Sequence, residues 1–489
     1  MSHNRHIFLD HASTTPVQPD VLGVMLPYFG NHFGNPGSFY ELGQRSKKAV
    51  EQARSRVAQL IGARPAEIVF TDSGTESNNL AILGTAYARQ SKGRHIITSA
   101  IEHRAVLNTC RHLEKKGFRV TYLPVDKDAA VDVSALEKAI CDDTILITIM
   151  HANNEVGTIE PIEKIGPIAR ERGITFHSDA VQSAGKIPVD VDDLHVDLLS
   201  IASHKIYGPK GAAALYIRTG TDIEPILFGS NQERGLRPGS LNVPAIVGFG
   251  MACEIAGRDI KENMNLTATL RDSLEQQIQD RIPGSRINAF KANRLPHISS
   301  ISFEGVLTGS IGANLDADTI SVSTGPSLKS YGKELSHVLV AMSVPPEFAY
   351  ETVRFSPGWE NKQRDIKDTI DSLETCIGRI RAFTESNKNN QVCIFTFPDK
   401  QAAISAGTII ESQGIPFTLT GRPEDIMQVS CSHIALACSK DDQPGISEIL
   451  GEQGIEIAGI HKIDPQCKTN LKKEQDFWAK IEKIKKERK

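Results

Sequence analysis

The sequence predicts a soluble α/β protein whose main sheet is largely parallel, with a smaller α+β domain and a C-terminal βαββαβ domain of ferredoxin-like type. Between about residues 65 and 260, short β-rich runs alternate with helical stretches. After that, longer helices separate short strands, and roughly the last hundred residues follow the order β-α-β-β-α-β. At 489 residues, the chain also exceeds what one hydrophobic core usually serves, so several domains are expected.

The predicted large domain spans residues 15–260. Helices are expected from Glu76, from Arg104 and near Ile165, each between two β-rich runs. Ligands of such sheets gather beyond the carboxyl ends of the strands, so residues that directly follow a strand are the first candidates for a site. The predicted strands are EIVF, HIIT, RVTYLP, TILITIM, ITFHSDA, VDLLSIA and AAALYI.

The predicted small domain comprises residues 1–14 and 261–386, with helices at 263–280, 336–342 and 362–386 around the strands ISSISF, ISVST and VRFS. The polar stretch TESNKNNQ then indicates a linker. The third domain is predicted at residues 391–465, with helices at 400–413 and 445–453 between the strands VCIFTF, IPFTLT, IALAC and IEIAGI. Residues 466–489 are predicted to be a basic C-terminal helix or tail.

Composition excludes several classes of protein. A net charge of −4 gives no basic field for phosphate backbones, which argues against nucleic acid as the primary ligand. No apolar run reaches the length of a signal peptide or of a membrane span of about 18 residues, so we expect a cytoplasmic protein without membrane attachment. The eight cysteines form no C-x-x-C pair, which predicts free thiols and no metal site.

The strand VDLLSIA leads directly into Ser203, His204 and Lys205. A desolvated lysine at a strand end can have its pKa lowered enough to attack an aldehyde. The alternative is an ordinary solvated lysine before a Gly-Pro turn. The motif alone leaves both interpretations open.

Polar residues follow two other predicted strands. Asp179 ends ITFHSDA and Gln182 lies one helical turn further on, so the carboxylate could pair with a pyridinium nitrogen or simply cap a helix. Gly74 and Thr75 open a helix after EIVF, where unpaired backbone N–H groups favour a phosphate. Capping by Thr75 is the alternative.

Three further side chains are candidates for a site. The ring of His103 could stack on a planar cofactor or move a proton. Asn154 could donate a hydrogen bond to a ring hydroxyl, and Arg354 could pair bidentately with a substrate carboxylate. No one of these residues predicts a site by itself. The order in which all the motifs occur along the chain does.

That order resembles the cysteine desulfurases of the class V aminotransferase group over about residues 7–385. The resemblance implies the fold of type I pyridoxal-phosphate (PLP) enzymes, a homodimer, and a cysteine or selenocysteine type of substrate. It rests on the motifs LDHASTTP, FGNPGS, TDSGTESNNLA, EHRAVL, HANNEVG, HSDAVQSAGK, SHKIYGPKG, ERGLRPGS and VRFSPG.

The resemblance implies roles for the candidate residues. Lys205 would hold pyridoxal phosphate as a Schiff base, Asp179 would pair with the pyridine nitrogen, and His103 would stack on the ring. Asn154 and Gln182 would contact the ring oxygen, and Asn35 and Arg354 would bind the substrate carboxylate. The residues implied for the phosphate are Gly74, Thr75, Ser203, His204 and Ser240 of a second copy.

One departure from the family concerns the catalytic cysteine that these enzymes carry on a loop of the small domain. The corresponding run, SVSTGPSLKSYGKELSHVLVAM, has no cysteine, and an ungapped match places Leu328 at its position. The cofactor site could still support β-elimination, which needs no thiol nucleophile and gives pyruvate and ammonia.

The C-terminal domain offers another thiol. Its stretches CIFTFP, GIPFTLTGRPEDI and VSCSHIALA resemble a family of putative sulfur or selenium carriers, and Cys431 matches the family's cysteine. We therefore hypothesise that Cys431 accepts sulfur or selenium from the cofactor site. The alternative is a buried cysteine that packs as a small apolar side chain.

Three functions remain open at this point. The first is a pyridoxal-phosphate-dependent lyase or sulfurtransferase of desulfurase type, which hands sulfur or selenium to Cys431 or to an acceptor protein. The second is a sulfur- or selenium-trafficking protein with reduced catalytic activity, which the Leu328 substitution favours. The third is an aminotransferase, which the same cofactor chemistry permits.

Overall fold

A computed structural model describes residues 5–306, 309–324, 335–350, 352–387, 391–421 and 432–463. They form two compact units. The first comprises residues 5–10, 269–288 and the described residues from 299 onward, and the second comprises 11–268 and 289–298. No helix in this part of the chain is long and apolar enough to cross a membrane.

Strands and helices are numbered in chain order. The strands are β1 (Ile7–Phe8), β2 (Ile68–Thr71), β3 (His95–Ser99), β4 (Arg119–Leu123), β5 (Thr144–Thr148), β6 (Thr175–Asp179), β7 (Leu198–Ala202), β8 (Ala213–Ile217), β9 (Ser285–Ile287), β10 (Ser299–Phe303), β11 (Ile320–Ser321), β12 (Thr352–Phe355), β13 (Val392–Thr396), β14 (Phe417–Gly421), β15 (Ile434–Ser439) and β16 (Gly459–Ile463).

The helices are α1 (Pro19–Met25), α2 (Glu41–Leu60), α3 (Gly74–Arg89), α4 (Arg104–Lys115), α5 (Val133–Ala139), α6 (Ile162–Glu171), α7 (Val243–Arg258), α8 (Ile260–Arg281), α9 (Ser310–Ala317), α10 (His337–Ala341), α11 (Pro346–Ala349), α12 (Gln363–Ser386), α13 (Lys400–Ser412) and α14 (Gln443–Glu452). Short 3₁₀ turns cover Leu26–Phe29, Pro65–Glu67, Ser203–Lys205 and Gln232–Gly235.

The second unit is built on a seven-stranded sheet with the order β2-β8-β7-β6-β5-β3-β4. Neighbours from β4 to β7 run parallel, and β8 runs antiparallel to both of its neighbours. Strands β3, β5, β6, β7 and β8 are buried along their whole length, as expected when helices cover both faces of a parallel sheet. The predicted α/β class with a largely parallel sheet is confirmed.

The strand directions place most carboxyl ends at one edge of this sheet. Because β2 and β7 are both antiparallel to β8, they run in the same direction as each other. The chain segments that follow β2, β3, β5, β6 and β7 therefore all leave the sheet at the same edge. These are the segments that carry the predicted site residues of the large domain.

The first unit contains a three-stranded antiparallel sheet, β12-β10-β9, and a parallel pair of β1 and β11. Helix α12 covers this core because its apolar residues recur every three or four positions. Phe303 and Phe355 are fully buried in the same cluster. The residues that α12 contributes are Ile366, Ile370, Leu373, Cys376, Ile377 and Ile380.

The first unit also contains a four-stranded antiparallel sheet with the order β14-β15-β13-β16. Helix α13 connects β13 to β14, and α14 connects β15 to β16. This succession confirms the predicted βαββαβ domain. Its core is mainly aliphatic and aromatic, with Phe395, Phe397, Leu436 and Ile446 among the fully buried side chains.

The βαββαβ domain packs against helix α9. Ala313 and Ala317 of α9 belong to the same apolar cluster as Phe417 and Leu419 of β14. The Nδ2 atom of Asn314 donates a hydrogen bond to the carbonyl of Leu419 at 3.0 Å. The small alanine side chains let the helix and the strand approach closely, so the two parts share one core.

Asp316 adds polar contacts to this packing. Its carboxylate accepts hydrogen bonds from Nζ of Lys400 at 2.8 Å and from Nε2 of His433 at 2.9 Å. Burial acts to raise the pKa of Asp316, but these two donors hold it below its ordinary value. Arg379 of α12 also pairs with Glu411 of α13 at 2.7 Å. The βαββαβ domain is therefore held by charged as well as apolar contacts.

Glu160 makes the free energy of unfolding of the second unit depend on pH. Its side chain is buried, Oε2 accepts from the backbone N–H of Val131 at 2.9 Å, and burial raises its pKa to about 8. The folded carboxyl keeps a proton that the unfolded one, with a pKa of 4.5, releases. Its stabilising contribution is therefore complete below the unfolded pKa and is lost as the pH rises through about 8.

The Tm of the wild type should fall between about pH 5 and pH 8. In Glu160→Gln, whose side chain cannot ionise, we expect this fall in Tm to be smaller by about 3 °C or more. Differential scanning fluorimetry across this range measures the effect. Exposed Glu163 provides the control, because Glu163→Gln should follow the wild-type curve. Parallel curves for Glu160→Gln and the wild type would contradict the expectation.

Candidate active site

Lys205 is the last residue of the 3₁₀ turn that follows β7. Its Nζ atom donates hydrogen bonds to the carbonyls of Ala12 and Ser13, each at 2.7 Å. The chain near Ala12 is itself fixed to this turn, because Thr15 donates its backbone N–H to the carbonyl of His204 at 2.9 Å. The amine is thus held at the carboxyl edge of the sheet.

Asp179 is the last residue of β6, beside β7, and its side chain is only 5% exposed. Its Oδ2 atom accepts a hydrogen bond from Nδ2 of Asn78 at 2.6 Å, and its Oδ1 atom accepts one from the backbone N–H of Val181 at 3.0 Å. These bonds fix the orientation of a buried carboxylate. Asn78, on helix α3, was not predicted as a site residue.

Helix α3 begins at Gly74 directly after β2. Ser73 caps it by accepting the backbone N–H of Glu76 at 3.1 Å. A Cβ atom on Gly74 would lie 2.7 Å from Cγ2 of Val181, so only glycine allows this close approach to the segment after Asp179. The first turn of α3 therefore offers its unpaired N–H groups and positive dipole end beside the buried carboxylate.

His103 borders a cavity at the same edge. It caps helix α4, and its Nδ1 atom accepts the backbone N–H of Ala105 at 3.1 Å. The cavity of about 580 Å³ lies between α3 and α4 and is lined by Thr75, Asn79 and His103 among other residues. Its size suits a small cofactor or substrate.

Two basic groups beside Lys205 have lowered pKa values. Burial, with the charges of Lys205 and Lys210, lowers the pKa of His204 to about 4, so its imidazole is neutral near pH 7. Burial and the charge of Lys205 lower the pKa of Lys186 to about 8. The ammonium of Lys186 lies 4.9 Å from the ring centre of Tyr207. Lys186 was also not predicted as a site residue.

The predicted contacts to the cofactor oxygens differ in accessibility. Gln182 is buried, and its Nε2 atom donates to the carbonyl of Ala12 at 2.8 Å, the same acceptor that Lys205 uses. Asn154 lies partly exposed in the turn after β5. Ser203 is fully buried, and its hydroxyl has no hydrogen-bond partner within the described part of the chain. The contacts of these three residues with the cofactor stay predictions.

The remaining predicted residues lie further from this cluster along the chain. Asn35 and Ser240 are exposed in the second unit, and Oδ1 of Asn35 accepts the backbone N–H of Gly37 at 2.9 Å. Arg354 lies on β12 of the first unit, where its Nη2 atom is 2.7 Å from Oδ1 of Asp10. A substrate carboxylate would compete with Asp10 for this guanidinium. Leu328 and Cys431 lie outside the described residues.

The residues at this edge fit pyridoxal phosphate. The buried carboxylate of Asp179 suits a protonated ring nitrogen, the start of α3 suits the phosphate, and Lys205 supplies an amine at a strand end. The chain thus combines an acid partner, an anion site and an amine along one sheet edge. These three groups favour pyridoxal phosphate on their chemistry alone, without any comparison with other proteins.

Comparisons with known proteins agree with this site. The Aminotransferase class-V family matches residues 7–368, and the family described as putative Se/S carrier protein-like matches residues 392–462. Cysteine desulfurase IscS of Dictyoglomus turgidum is 47% identical over 380 residues, which cover 78% of this chain and 96% of that protein. Cysteine desulfurase IscS of Methanosarcina thermophila is 46% identical over 380 residues, which cover 78% and 94%.

Two solved structures are also similar. A NifS-like protein has a TM-score of 0.72 and 37% identity, covering 76% of this chain and all of its own. SspA, solved in complex with cysteine, has a TM-score of 0.64 and 38% identity, covering 72% of this chain and 99% of its own. The chain belongs to the class V aminotransferase family, as a pyridoxal-phosphate-dependent enzyme of the cysteine desulfurase type with a selenium/sulfur carrier-like C-terminal domain.

Proposed function

We propose that this enzyme cleaves the carbon–sulfur bond of cysteine, or the carbon–selenium bond of selenocysteine, and transfers the released atom to Cys431. The proposal rests on the resemblance to the family, in which an ungapped match puts Leu328, a residue with no nucleophilic atom, at the position of the loop cysteine. The resemblance likewise puts Cys431 at the cysteine position of the carrier-like family. In this proposal the carrier domain supplies the thiol that the loop lacks.

Pyridoxal phosphate, when bound, stabilises negative charge on the Cα atom of an amino acid. We assign its ring nitrogen to Asp179, its phosphate to the start of α3 and to His204, and one ring face to His103. Lys205 holds the cofactor and moves the proton of Cα. Asn78 keeps Asp179 oriented, because its 2.6 Å hydrogen bond leaves that carboxylate little freedom to turn.

With a thiolate as the acceptor, every bond and electron pair in the transfer step is accounted for. The Cys431 thiolate attacks the sulfur of the substrate, and a sulfur–sulfur bond forms as the Cβ–sulfur bond breaks. The electron pair of the broken bond stays on Cβ, which takes up a proton, so the products are alanine and a persulfide on Cys431. With selenocysteine as the substrate, a selenium–sulfur bond forms as the Cβ–selenium bond breaks.

One contact carries the proposal. His433, two residues after Cys431 in the chain, donates a hydrogen bond from Nε2 to the carboxylate of Asp316 of α9 at 2.9 Å. This contact attaches that end of the carrier domain to the helix that precedes the loop of Leu328 in the sequence. It supports transfer within one chain, because the carrier is packed on the small domain rather than joined to it only by a linker.

We infer that Arg354 and Asn35 bind the carboxylate of the substrate. In the first unit Arg354 is paired with Asp10, and its side chain is only 12% exposed. Substrate binding then exchanges one carboxylate partner for another. This exchange costs less than bringing an unpaired guanidinium out of water, because the charge of Arg354 stays paired before and after binding.

We infer that the enzyme is a homodimer. Large apolar side chains are rarely exposed together on a monomer. In the second unit several aromatic residues are exposed, and a second copy would cover them. Ser240, also exposed, is then available to the phosphate site of that second copy. The exposed aromatics are Phe29, Phe33, Phe39, Tyr40, Phe228 and Phe290.

The second candidate reaction is β-elimination, which Leu328 favours because it requires no thiol nucleophile. The products separate the two reactions. Transfer gives alanine and protein-bound sulfur, whereas elimination gives pyruvate, ammonia and free sulfide. An external protein acceptor would show as alanine formed in step with sulfur on that protein. The cytoplasmic location stays a prediction from the sequence.

We expect Cys431→Ser to lose about tenfold of the sulfur that becomes bound to the chain after incubation with ³⁵S-labelled cysteine, because serine cannot hold a persulfide. Mass spectrometry of the non-reduced peptides locates the label. Cys467→Ser is the matched control, since it removes a cysteine of the C-terminal tail. Undiminished labelling in Cys431→Ser would reject the acceptor role, and equal release of pyruvate and sulfide by both variants would establish elimination.

A further inference from the structure

A second cluster of reactive side chains lies at the opposite edge of the seven-stranded sheet. His95 begins β3, Arg119 begins β4, and Cys141 and Asp143 directly precede β5 at Thr144. Because β3, β4 and β5 run parallel, their amino ends meet at the edge away from Lys205. The function proposed above uses none of these residues.

The thiol of Cys141 is surrounded by polar groups. Its Sγ atom lies 3.0 Å from Nδ1 of His95, 3.1 Å from Nη2 of Arg119 and 3.3 Å from Oγ1 of Thr144. The same guanidinium is 2.8 Å from Oδ1 of Asp143. Arg119 therefore lies between the sulfur and a carboxylate, with a donor directed to each.

One positive charge lies beside the sulfur. The guanidinium of Arg119, 3.1 Å from Sγ, would stabilise negative charge that develops on the sulfur when it reacts. Burial and the charge of Arg119 lower the pKa of His95 to about 4, so its imidazole is neutral near pH 7. His95 is held on its other side, because its Nε2 atom is 2.8 Å from Oγ1 of Thr121.

Accessibility separates Cys141 from the other cysteines of the described residues. Cys141 is partly exposed, whereas the other five are buried. Burial raises the pKa of the Cys110 and Cys253 thiols, which keeps them protonated and unreactive. The buried cysteines are Cys110, Cys253, Cys376, Cys393 and Cys438.

A metal ion is the competing occupant of this cluster. One ligand atom each of His95, Cys141 and Asp143 lies within 4.8 Å of the other two. However, the guanidinium of Arg119 already bonds to two of the three residues. A cation would have to displace this charge or tolerate its repulsion at short range. The contacts of Arg119 therefore favour a cysteine beside arginine over a bound cation.

We propose that Cys141 is a thiolation site that exchanges with low-molecular-weight disulfides. The thiolate attacks one sulfur of the disulfide, a new sulfur–sulfur bond forms to Cys141, and the old sulfur–sulfur bond breaks. The leaving thiolate carries away the electron pair. No other oxidant is needed, and excess low-molecular-weight thiol reverses the reaction.

The test measures the reaction of the folded holoenzyme with 5,5′-dithiobis(2-nitrobenzoic acid), whose released thiolate is followed by its visible absorption. The background chain carries Cys431→Ser and Cys467→Ser, so that only the six described cysteines remain. We expect one fast equivalent, located at Cys141 by peptide mapping and removed by Cys141→Ser.

Arg119→Gln should slow this fast phase about tenfold, since it removes the charge beside the sulfur. Arg94→Gln is the matched control, because Arg94 lies at the same edge but its guanidinium sits 5.7 Å from the ring centre of Phe118. Retention of pyridoxal phosphate in all variants shows that they are folded. Stable labelling that a thiol reagent reverses supports the proposal.

Three outcomes would overturn the proposal. Cys141 could react no faster than buried Cys110, or Arg94→Gln could slow the reaction as much as Arg119→Gln. Alternatively, zinc added at one equivalent could bind through Cys141 and protect it fully, with Arg119→Gln binding no more tightly than the wild type. The last result would assign the cluster to a metal instead.

Discussion

Lys205→Ala is expected to lose sulfur release from cysteine almost completely, with kcat reduced by about 10³-fold or more. Alanine lacks the amine that holds the cofactor and moves the proton of Cα. The carbonyls of Ala12 and Ser13, each 2.7 Å from Nζ, would also lose the hydrogen bond from Lys205. The measurement is alanine and sulfide formed per enzyme under saturating cysteine, together with the visible absorption of bound pyridoxal phosphate.

Lys210→Ala is the control for this result. Lys210 follows Lys205 by five residues but is exposed, so its removal should leave kcat within about twofold of the wild type. Adding an external amine to Lys205→Ala should restore part of the rate, because the missing group is a base rather than a packing element. Wild-type turnover by Lys205→Ala would remove the assigned role.

Asp179→Asn is expected to lower kcat by about 10²-fold to 10³-fold with a smaller change in KM. The amide keeps the size of the side chain but cannot pair as an anion with a protonated ring nitrogen. It also loses the charge-assisted hydrogen bond from Asn78 at 2.6 Å. Steady-state kinetics with cysteine and the affinity for pyridoxal phosphate measure both parts of the loss.

Asp193→Asn serves as the control, because Asp193 is exposed between β6 and β7. Asn78→Ala separates positioning from charge, since it leaves the carboxylate of Asp179 but removes one of its donors. We expect it to lie between the wild type and Asp179→Asn in kcat. A rise in KM alone, with kcat unchanged in Asp179→Asn, would show that the carboxylate acts only in binding.

The sequence predicts those site residues that directly follow strands. Asp179 and Lys205 stand at the carboxyl ends of apolar runs, and parallel strands bring such ends together. Asn78 could not be found in this way, because it lies within helix α3 and its role depends on how that helix is rotated against the sheet. The spacing along one helix does not determine that rotation.

Contacts through the backbone or over long sequence separations also escape prediction. The acceptors for Lys205 are main-chain carbonyls, which every residue has, so the residue types do not indicate them. Arg354 and Asp10 are 344 positions apart, so only the folded chain brings them together. The thiol of Cys141 meets His95 for the same reason, across 46 positions. The sequence therefore predicts the kind of site, but it does not predict the hydrogen bonds and ion pairs that hold the site residues in place.

The packing of the βαββαβ domain on α9 has a kinetic consequence. A carrier on a separate protein must be met by diffusion, so its loading slows in proportion to dilution. In the transfer proposed above, a carrier packed on Ala313, Asn314 and Asp316 belongs to the same chain as its donor. Its effective concentration would then not change with dilution, and would be on the order of millimolar even for a flexible tether. Loading within the chain should therefore be first order in enzyme, and free acceptors would have to reach comparable concentrations to compete.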